Sequence, residues 1–317
     1  MTTSVTVRAP AKINLQLTVG PPRPDGYHAL VTVFHAVSLF DEVTVIPAER
    51  DSVLVAGEGA ADVPADSDNL ALRAVRALRG AVAARGTAVP DAGGPVRVEI
   101  RKRIPVAAGM AGGSADAAAA IVACDALWET RLPLSELSGV AARIGSDVPF
   151  ALLGGTAIGR GRGERLTALP AAQAPGANGG LHWVLGYADG HLSTPLVYKT
   201  LDQQRRGQAV PDPQLSDELI SALRSGDARR LGDTLSNDLQ APALSLFPAL
   251  HDTLEAGRAG GAVGALVSGS GPTCFFLARD AEHASDLAAR LAAAGACREV
   301  TTAIGPALGA TVVTCEA

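Results

Sequence analysis

Aromatic residues are scarce in this sequence, making up 3% of its 317 residues. Lysine is also rare: of the 27 Lys and Arg residues only Lys12, Lys102 and Lys199 are lysines, and the net charge is −5. Proteins that bind nucleic acids usually present a basic surface or aromatic rings on which bases stack. The composition therefore argues against a nucleic-acid partner and favours a small-molecule one.

Long apolar runs are missing as well. No run of about 18 apolar residues occurs, and the first residues lack a basic stretch followed by an apolar one, so we expect neither a membrane span nor a secretory signal. The four cysteines (Cys124, Cys274, Cys297 and Cys315) form no CxxC pair and have no metal-type spacing. Scattered cysteines of this kind are typical of reduced thiols in a cytoplasmic protein.

Hydrophobic periodicity predicts an α+β fold in two domains, residues 1–168 and 169–317, with the Pro-, Ala- and Gly-rich segment 169–180 as the linker. We expect hairpins at 154–165 and 265–277, and a helix cap at Ser135. The predicted strands are 3–17, 31–37, 41–46, 96–100, 181–187 and 311–314, and the predicted helices are 70–84, 113–128, 136–144, 216–254 and 281–294.

A glycine-rich run from Pro105 to Ala118 lies between a predicted strand and a predicted helix. Glycines let a backbone approach a ligand closely, and a helix N-terminus offers free N–H donors and a positive dipole end. The run therefore predicts a binding site for a di- or triphosphate, with a tight strand-to-helix turn as the alternative. Ser114 is placed either to meet a phosphate-bound Mg²⁺ or to cap the helix.

Two familiar phosphate-binding patterns are absent from this run. It contains neither G-x-x-x-x-G-K-[ST] nor G-x-G-x-x-G, which excludes the P-loop and dinucleotide fingerprints. A second glycine-rich stretch, 159–164, fits a hairpin turn better than a ligand loop.

Three separated segments resemble the GHMP kinases, the family of galactokinase and of homoserine, mevalonate and phosphomevalonate kinases. They are Ala9–Leu15, the Pro105–Ala118 run and Val267–Thr273. Within the family, Pro10–Leu15, Asp25–His28 and Gly145–Phe150 resemble the branch that phosphorylates 4-diphosphocytidyl-2-C-methyl-D-erythritol with ATP. The resemblance implies an N-terminal ribosomal-protein-S5-like ATP-binding domain and a C-terminal ferredoxin-like domain. It also implies phosphorylation of the 2-hydroxyl of that substrate in the non-mevalonate isoprenoid pathway, with Mg²⁺ accompanying ATP.

The catalytic candidates are Lys12 and Asp147. Phosphoryl transfer needs a group that accepts the proton of the alcohol, and Asp147 stands between a glycine turn and a proline, where a carboxylate can face a cleft from a helix start. Helix capping by Asp147 or Ser146 is the alternative. The resemblance implies that Lys12 is the partner of Asp147, holding it ionised and neutralising phosphoryl charge.

The resemblance also assigns residues to the two substrates. It implies that Tyr27 and His28 recognise cytosine, together with Asn14, Phe34, Thr194 and Tyr198; for Phe34, a core position on an alternating strand is the alternative. We interpret His35 as structural. On the nucleotide side it implies an adenine contact from Asn69, for which helix capping is the alternative. The residues expected to bind the phosphates of ATP are Pro105, Val106, Ala107, Ala108, Gly109, Met110, Ala111, Gly112, Gly113, Ser114 and Ala115.

The third segment and the residues before the loop complete the candidate site. Gly269, Ser270 and Gly271 are expected to close the cleft and to support the loop around Lys12, with a simple turn as the alternative. Lys102 and Arg103 lie either near the nucleotide or, by default, on a solvated edge.

The loop departs from the common family pattern Gly-Leu-Gly-Gly-Gly-Ser-Ser-Asn-Ala-Ala at three chemically important positions, Ala111, Ala115 and Asp116. We expect Ala111 to adopt a negative φ, because alanine is uncomfortable in the left-handed region. Asp116 would repel phosphates unless it points away from them or faces a metal.

Two other functions remain open from the sequence. One is a kinase of the same family acting on another small alcohol, such as homoserine or mevalonate. The other is a non-catalytic ligand-binding relative. Tyr27 and His28 argue against the first, because a small aliphatic substrate gives no reason for an aromatic and imidazole pair. Lys12 together with Asp147 argues against the second.

Overall fold

The computed structural model of the chain describes residues 3–85, 93–170 and 180–316. Within these ranges the chain has an α+β fold with two sheets, which confirms the predicted fold class. The strands are β1 (Ser4–Pro22), β2 (His28–Pro47), β3 (Ser52–Gly57), β4 (Val96–Lys102), β5 (Thr156–Gly161), β6 (Arg165–Leu169), β7 (Leu181–Tyr187), β8 (Ser236–Asn237), β9 (Gly264–Val267), β10 (Cys274–Ala278), β11 (Glu299–Gly305) and β12 (Thr311–Glu316).

The helices cover one face of each sheet and the connections between the sheets. No helix within the described ranges is long and apolar enough to cross a bilayer. The helices are α1 (Leu70–Ala84), α2 (Gly112–Leu127), α3 (Leu134–Ile144), α4 (Val148–Leu153), α5 (Thr194–Gln204), α6 (Asp217–Ser225), α7 (Ala228–Thr234), α8 (Gln240–Leu246), α9 (Ala249–Ala259) and α10 (Ala281–Ala294).

The first sheet is built on a long antiparallel hairpin of β1 and β2, in the order β12-β1-β2-β4-β3, with β5 and β6 extending from β2 and the short β8 parallel to β1. Along the hairpin Lys12 pairs with Ala36 and Asn14 pairs with Phe34. Residues 38 and 39 form a bulge opposite the step from Pro10 to Ala11. The two strands predicted at 31–37 and 41–46 are therefore one strand that is bent at this bulge.

The second sheet is antiparallel in the order β11-β7-β10-β9. The turn between β9 and β10 is the predicted glycine hairpin of 265–277, which the pairing of Val267 with Cys274 confirms. The predicted hairpin at 154–165 is also confirmed, because β5 pairs antiparallel with β6.

Helix α2 fixes the glycine-rich loop against the first sheet. Its alanines from Ala117 to Ala120 and Ile121 are fully buried. Small side chains let the helix lie close to the strands below it and to α1. The start of α2 at Gly112 is thereby held at one edge of the sheet.

Two sequence predictions about helices differ from the structure. Helix α3 begins at Leu134, and the carbonyl of Pro133 accepts from the amides of Glu136 and Leu137. Ser135 therefore does not cap this helix, because Pro133, two residues earlier, occupies the N-cap position and no side chain caps it. The helix predicted over 216–254 is four helices and a short strand. Its first break follows from Gly226, which ends α6 in the left-handed region at φ 67°.

The predicted division of the chain does not coincide with the division into sheets. Strand β12 pairs with β1, joining Ser4 to Glu316, so the end of the chain completes the first sheet. The division at 168 and 169 remains a prediction about folding units. Residues 171–179 of the predicted linker lie outside the described residues.

Candidate active site

A cavity of about 1060 Å³ lies between the two sheets. Its walls come from the β1–β2 hairpin, the glycine-rich loop, the starts of α1, α4 and α5, the β5–β6 turn and the turn after β9. It contains residues from every segment that the sequence singled out. The predicted catalytic, cytosine-side and nucleotide-side residues therefore share one site.

The glycine-rich loop lines the cavity with its backbone. Gly109 has φ 75°, and Ala111 has φ 60° at the N-cap of α2. The expectation of a negative φ for Ala111 is wrong. The turn that brings the start of α2 to the cavity needs a left-handed residue here, and the buried loop imposes that conformation on an alanine.

Two residues predicted to bind ATP do not line the cavity. Met110 and Ala115 are fully buried and belong to the apolar core behind the loop. The remaining loop residues from Pro105 to Ser114 line the cavity.

The turn after β9 braces this loop. The Ser268 hydroxyl donates to the carbonyl of Gly109 at 3.0 Å, and the amide of Thr273 donates to the carbonyl of Ala108 at 3.4 Å. Gly269 and Ser270 line the cavity, whereas Gly271 packs against Val267 outside it. The predicted cleft-closing segment is therefore placed to support the loop, with Gly271 serving the turn itself.

Lys12 is buried at the centre of the cavity. Its ammonium donates to Asn14 Oδ1 at 2.7 Å and to the carbonyl of Gly109 at 2.8 Å, and it lies 5.9 Å from the centroid of the Phe34 ring. Burial lowers the pKa of Lys12, and the charge of Asp147 opposes that shift. The lysine thus links β1 to the glycine-rich loop. Both of its hydrogen-bond acceptors are neutral oxygens, so they do not cancel its positive charge.

Asp147 is half-buried at the N-terminus of α4 and lines the same cavity. It occupies the N-cap position, yet its side chain accepts no capping hydrogen bond. The capping alternative is therefore not supported. The charge of the Asp147 carboxylate acts on Lys12 without a direct ion pair between the two groups.

Beneath the loop, Lys102 forms a buried ion network. Its ammonium donates to both Asp41 and Asp116, and Asp41 also accepts from the amides of Arg103 and Ile104. The expectation that Lys102 lies on a solvated edge is wrong; Arg103 is the exposed one of the pair.

The same network explains the aspartate in the loop. Asp116 points toward Lys102, which offsets the charge that would repel phosphates. Burial, with the charge of Asp41, raises the pKa of Asp116 to about 7 while Lys102 opposes the shift. The two carboxylates and one ammonium therefore hold the start of α2 against β4.

Another part of the cavity wall is aromatic. The His28 ring stacks on Tyr198 with centroids 5.2 Å apart, and its Nε2–H donates to Asp202 at 2.8 Å. Burial raises the pKa of the Tyr198 hydroxyl, so this ring stays neutral. Tyr27 is more than half exposed, and the Arg162 guanidinium lies 4.9 Å from its ring centroid.

The other predicted residues take mixed positions. Phe34 lines the cavity but is buried and stacks on Phe150 with centroids 4.9 Å apart. The Thr194 hydroxyl lies 2.8 Å from that of Ser270, joining α5 to the glycine turn. Asn69 caps α1 by accepting from the amide of Ala71 at 2.9 Å, and it also lines the cavity. His35 is structural as predicted: burial lowers its pKa to about 3.

Sequence reasoning missed three contributors to this site. Asp202 lies four residues after Tyr198 on α5, so the helical period would have placed the two side chains together. Arg162 sits in the stretch interpreted as a turn, where no local signal marks a ligand. Asp41 is 61 residues from Lys102, and only the fold brings them together.

Comparison with known proteins gives the family. Residues 69–155 match the model of the GHMP kinases N terminal domain, and residues 219–297 match that of the GHMP kinases C terminal. A crystal structure of a 4-(cytidine 5'-diphospho)-2C-methyl-D-erythritol kinase matches with a TM-score of 0.73 at 34% identity, over 95% of this chain and all of that one. A homoserine kinase from Cytophaga hutchinsonii has a TM-score of 0.72 at 19% identity, over 99% and 98%, and shows the shared fold alone.

Two curated relatives are more similar in sequence. A 4-diphosphocytidyl-2-C-methyl-D-erythritol kinase from Thermobifida fusca is 57% identical over 98% of this chain and 99% of its own. One from Streptomyces coelicolor is 54% identical over the same shares. The fold and the cavity are therefore those of a small-molecule kinase. The chain belongs to the GHMP kinases and, within them, to the 4-diphosphocytidyl-2-C-methyl-D-erythritol kinases, which confirms the resemblance seen in the sequence.

Proposed function

We propose that this chain transfers the γ-phosphoryl group of ATP to the 2-hydroxyl of 4-diphosphocytidyl-2-C-methyl-D-erythritol, a step of the non-mevalonate isoprenoid pathway. The observation that carries the proposal is the arrangement of one cavity. This cavity holds Lys12, Asp147 and the phosphate loop together with the stack of His28 on Tyr198. An alcohol linked to a nucleobase fits such a cavity, with the hydroxyl at one end and the base at the other.

In this mechanism Asp147 is the general base. Its carboxylate takes the proton of the 2-hydroxyl as that oxygen bonds to the γ-phosphorus, and the bond to the bridging oxygen of ADP breaks. Asp147 suits this role because no capping hydrogen bond occupies its oxygens. The products are ADP and the 2-phosphorylated substrate.

Lys12 supplies positive charge to the transferring group. Its ammonium already contacts the loop at Gly109, so a phosphate cradled by the loop lies next to it. A fixed cation in a cavity with few waters stabilises the charge of the transition state more than a solvated one does. Asn14 holds the ammonium in place at 2.7 Å.

The nucleotide is held by backbone. The free amides at the start of α2 and the loop from Pro105 to Ser114 face the phosphates, and the helix dipole adds positive potential. We assign Asn69, which lines the cavity, to the adenine of ATP, although its side chain also caps α1.

Magnesium fits this site as a companion of ATP. No group of three or more His, Cys, Asp or Glu side chains suited to a metal occurs among the described residues. These described residues thus form no all-protein metal cage, and Mg²⁺ is a cation that is usually bound by substrate phosphates and few protein ligands. The Ser114 hydroxyl, in the cavity at the start of α2, would be its ligand. Bound Mg²⁺ would neutralise charge on the β- and γ-phosphates.

A coupled assay of ADP release tests this function. Wild-type protein with Mg²⁺-ATP is offered the diphosphocytidyl substrate, homoserine or mevalonate, with Asp147→Ala as the background control. We expect turnover with the first alcohol only. Turnover with homoserine or mevalonate alone would replace the proposal by a kinase of another small alcohol, and ATP binding without any turnover would support a non-catalytic relative.

The location of the protein is a related proposal. All four cysteines are free thiols, and Cys124 and Cys274 are buried in apolar surroundings that raise their pKa. Unreactive buried thiols are consistent with a reducing compartment. We therefore propose a cytoplasmic enzyme.

A further inference from the structure

Arg162 is a cation of the cavity that the proposed mechanism does not use. It lies in the turn between β5 and β6 and lines the cavity next to Tyr27. Among the described residues its guanidinium makes no ion pair within 4.0 Å, and its amide donates to Glu164 at 2.6 Å, which fixes the turn. A guanidinium held beside a cavity with its charge uncancelled is suited to an anionic ligand group.

The turn also reaches the catalytic end. Gly163 packs so closely on Phe34 that a Cβ there would lie 3.2 Å from the ring and 4.0 Å from Asp147 Oδ1. Arg162 therefore stands between the aromatic end of the cavity, at Tyr27, and the carboxylate of Asp147. In the substrate of the proposed function, the group between the cytidine and the reacting alcohol is a diphosphate.

The other cations of the cavity are differently committed. Lys12 contacts Asn14 and Gly109 at the catalytic centre, and Lys102 is held between two carboxylates. Lys199 is exposed on α5 and is the alternative to Arg162. Arg162 differs from Lys199 in that the ring of Tyr27 fixes its guanidinium, which lowers the conformational entropy lost on binding.

We propose that Arg162 binds the diphosphate group of the substrate, with its guanidinium donating to phosphate oxygens while it stays stacked on Tyr27. The inference rests on the proposed function for the identity of the substrate. One face of Tyr27 is covered by the guanidinium, so the base stacks on the other. Arg162 thus makes substrate binding depend on the diphosphate between base and alcohol, and it selects against an uncharged nucleoside.

Calorimetric binding of CDP and of cytidine tests this role. A non-hydrolysable ATP analogue first fills the phosphate loop, so that CDP reports on the other end of the cavity. Loss of charge-assisted hydrogen bonds in Arg162→Gln is expected to weaken CDP binding on the order of 10- to 100-fold, with cytidine binding unchanged. Arg162→Lys, which keeps charge without the planar fork, is expected to lose less. If Arg162→Gln does not fold, the Arg162→Lys variant tests the role of Arg162 in its place.

The matched control is Arg160→Gln, since Arg160 is exposed on the same hairpin two residues away and does not line the cavity. The Arg160→Gln variant is expected to bind CDP and cytidine like the wild type. The proposal is overturned if Arg162→Gln keeps wild-type CDP affinity, if it loses cytidine affinity by the same factor, or if Lys199→Gln alone removes the preference for CDP.

Turnover separates this proposal from the one on which it rests. With the diphosphocytidyl substrate, Arg162→Gln should raise KM by the factor lost for CDP and leave kcat and the KM for ATP near wild type. If the wild type does not phosphorylate that substrate, the proposed function fails. If the wild type does so and Arg162→Gln has an unchanged KM, only the role of Arg162 fails.

Discussion

The carboxylate of Asp202 lies 2.8 Å from Nε2 of His28, and both residues line the cavity. A carboxylate only accepts hydrogen bonds, so Nε2 carries a hydrogen, and in the singly protonated ring Nδ1 is then an acceptor. An acceptor is what the exocyclic amine of cytosine requires, whereas uracil presents a carbonyl at that position. If His28 contacts the base as proposed, Asp202 sets, through the tautomer of His28, whether the ring offers an acceptor to that base.

The first prediction concerns this pair. Asp202→Asn leaves the tautomer of His28 undetermined, because an amide both donates and accepts. We expect KM for the diphosphocytidyl substrate to rise by roughly 2- to 10-fold, the loss of one hydrogen bond, with kcat unchanged. The preference for CDP over UDP in calorimetry should fall as well. Gln203→Ala, one residue further along the exposed side of α5, is the control and should change neither.

The second prediction separates catalysis from helix capping at Asp147. Asp147→Ala should lower kcat by a factor on the order of 10² or more, because the alcohol loses its general base, and should leave the thermal midpoint unchanged. Asp280 is the control for helix capping, because it caps α10 by accepting from the amide of His283 at 2.8 Å. Asp280→Ala should cost about 1 kcal/mol of unfolding free energy with normal kcat. A normal kcat in Asp147→Ala would force a mechanism in which the substrate's own phosphates accept the proton.

The third prediction is a basic limb in the pH–rate profile. Burial lowers the pKa of Lys12, so the ammonium is lost at a lower pH than an exposed lysine would lose it. Activity should therefore fall as pH rises through that lowered pKa. The effect on stability has the opposite sign. Between the folded-state and unfolded-state pKa values of Lys12, the folded protein binds fewer protons than the unfolded chain, so the free energy of unfolding increases as pH rises.

Lys12→Arg tests this assignment. A guanidinium stays protonated throughout the measurable range, so the residual activity of the variant should lack the basic limb. The measurement is kcat with saturating substrates from about pH 7 to pH 10. A basic limb that persists unchanged in Lys12→Arg would assign it to another group.

The fourth prediction concerns the ion network below the loop. Lys102→Met leaves Asp41 and Asp116 buried without their cation, which should cost about 3–5 kcal/mol of unfolding free energy. Lys102→Met combined with Asp116→Asn should recover part of that loss, because only one carboxylate then remains buried. Lys199→Met, at the exposed lysine of α5, is the control and should change denaturant midpoints little. Equal effects of Lys102→Met and Lys199→Met would contradict the buried network.

The sequence by itself determined the class of fold and the chemistry of the site. Periodicity predicts the helices and hairpins, and the glycine-rich run, Lys12 and Asp147 carry the kinase resemblance that the comparisons confirm. Those features are local, because a glycine loop before a helix or a carboxylate at a helix start is encoded by neighbouring residues. The bend of β2 was not predicted, because it depends on how the strand pairs with β1. The N-cap of α3 was predicted at Ser135 and lies at Pro133.

Only the tertiary structure decided how the charges are paired. Lys102 is a buried cation because the fold brings Asp41, 61 residues away, onto it. Ala111 takes a left-handed φ because the packing of the loop imposes that conformation. Asp202 reaches His28 across 174 residues, and Arg162 reaches Tyr27 from another hairpin. Long-range packing sets burial and proximity, and these two quantities decide whether a charged side chain is structural, catalytic or available to a ligand.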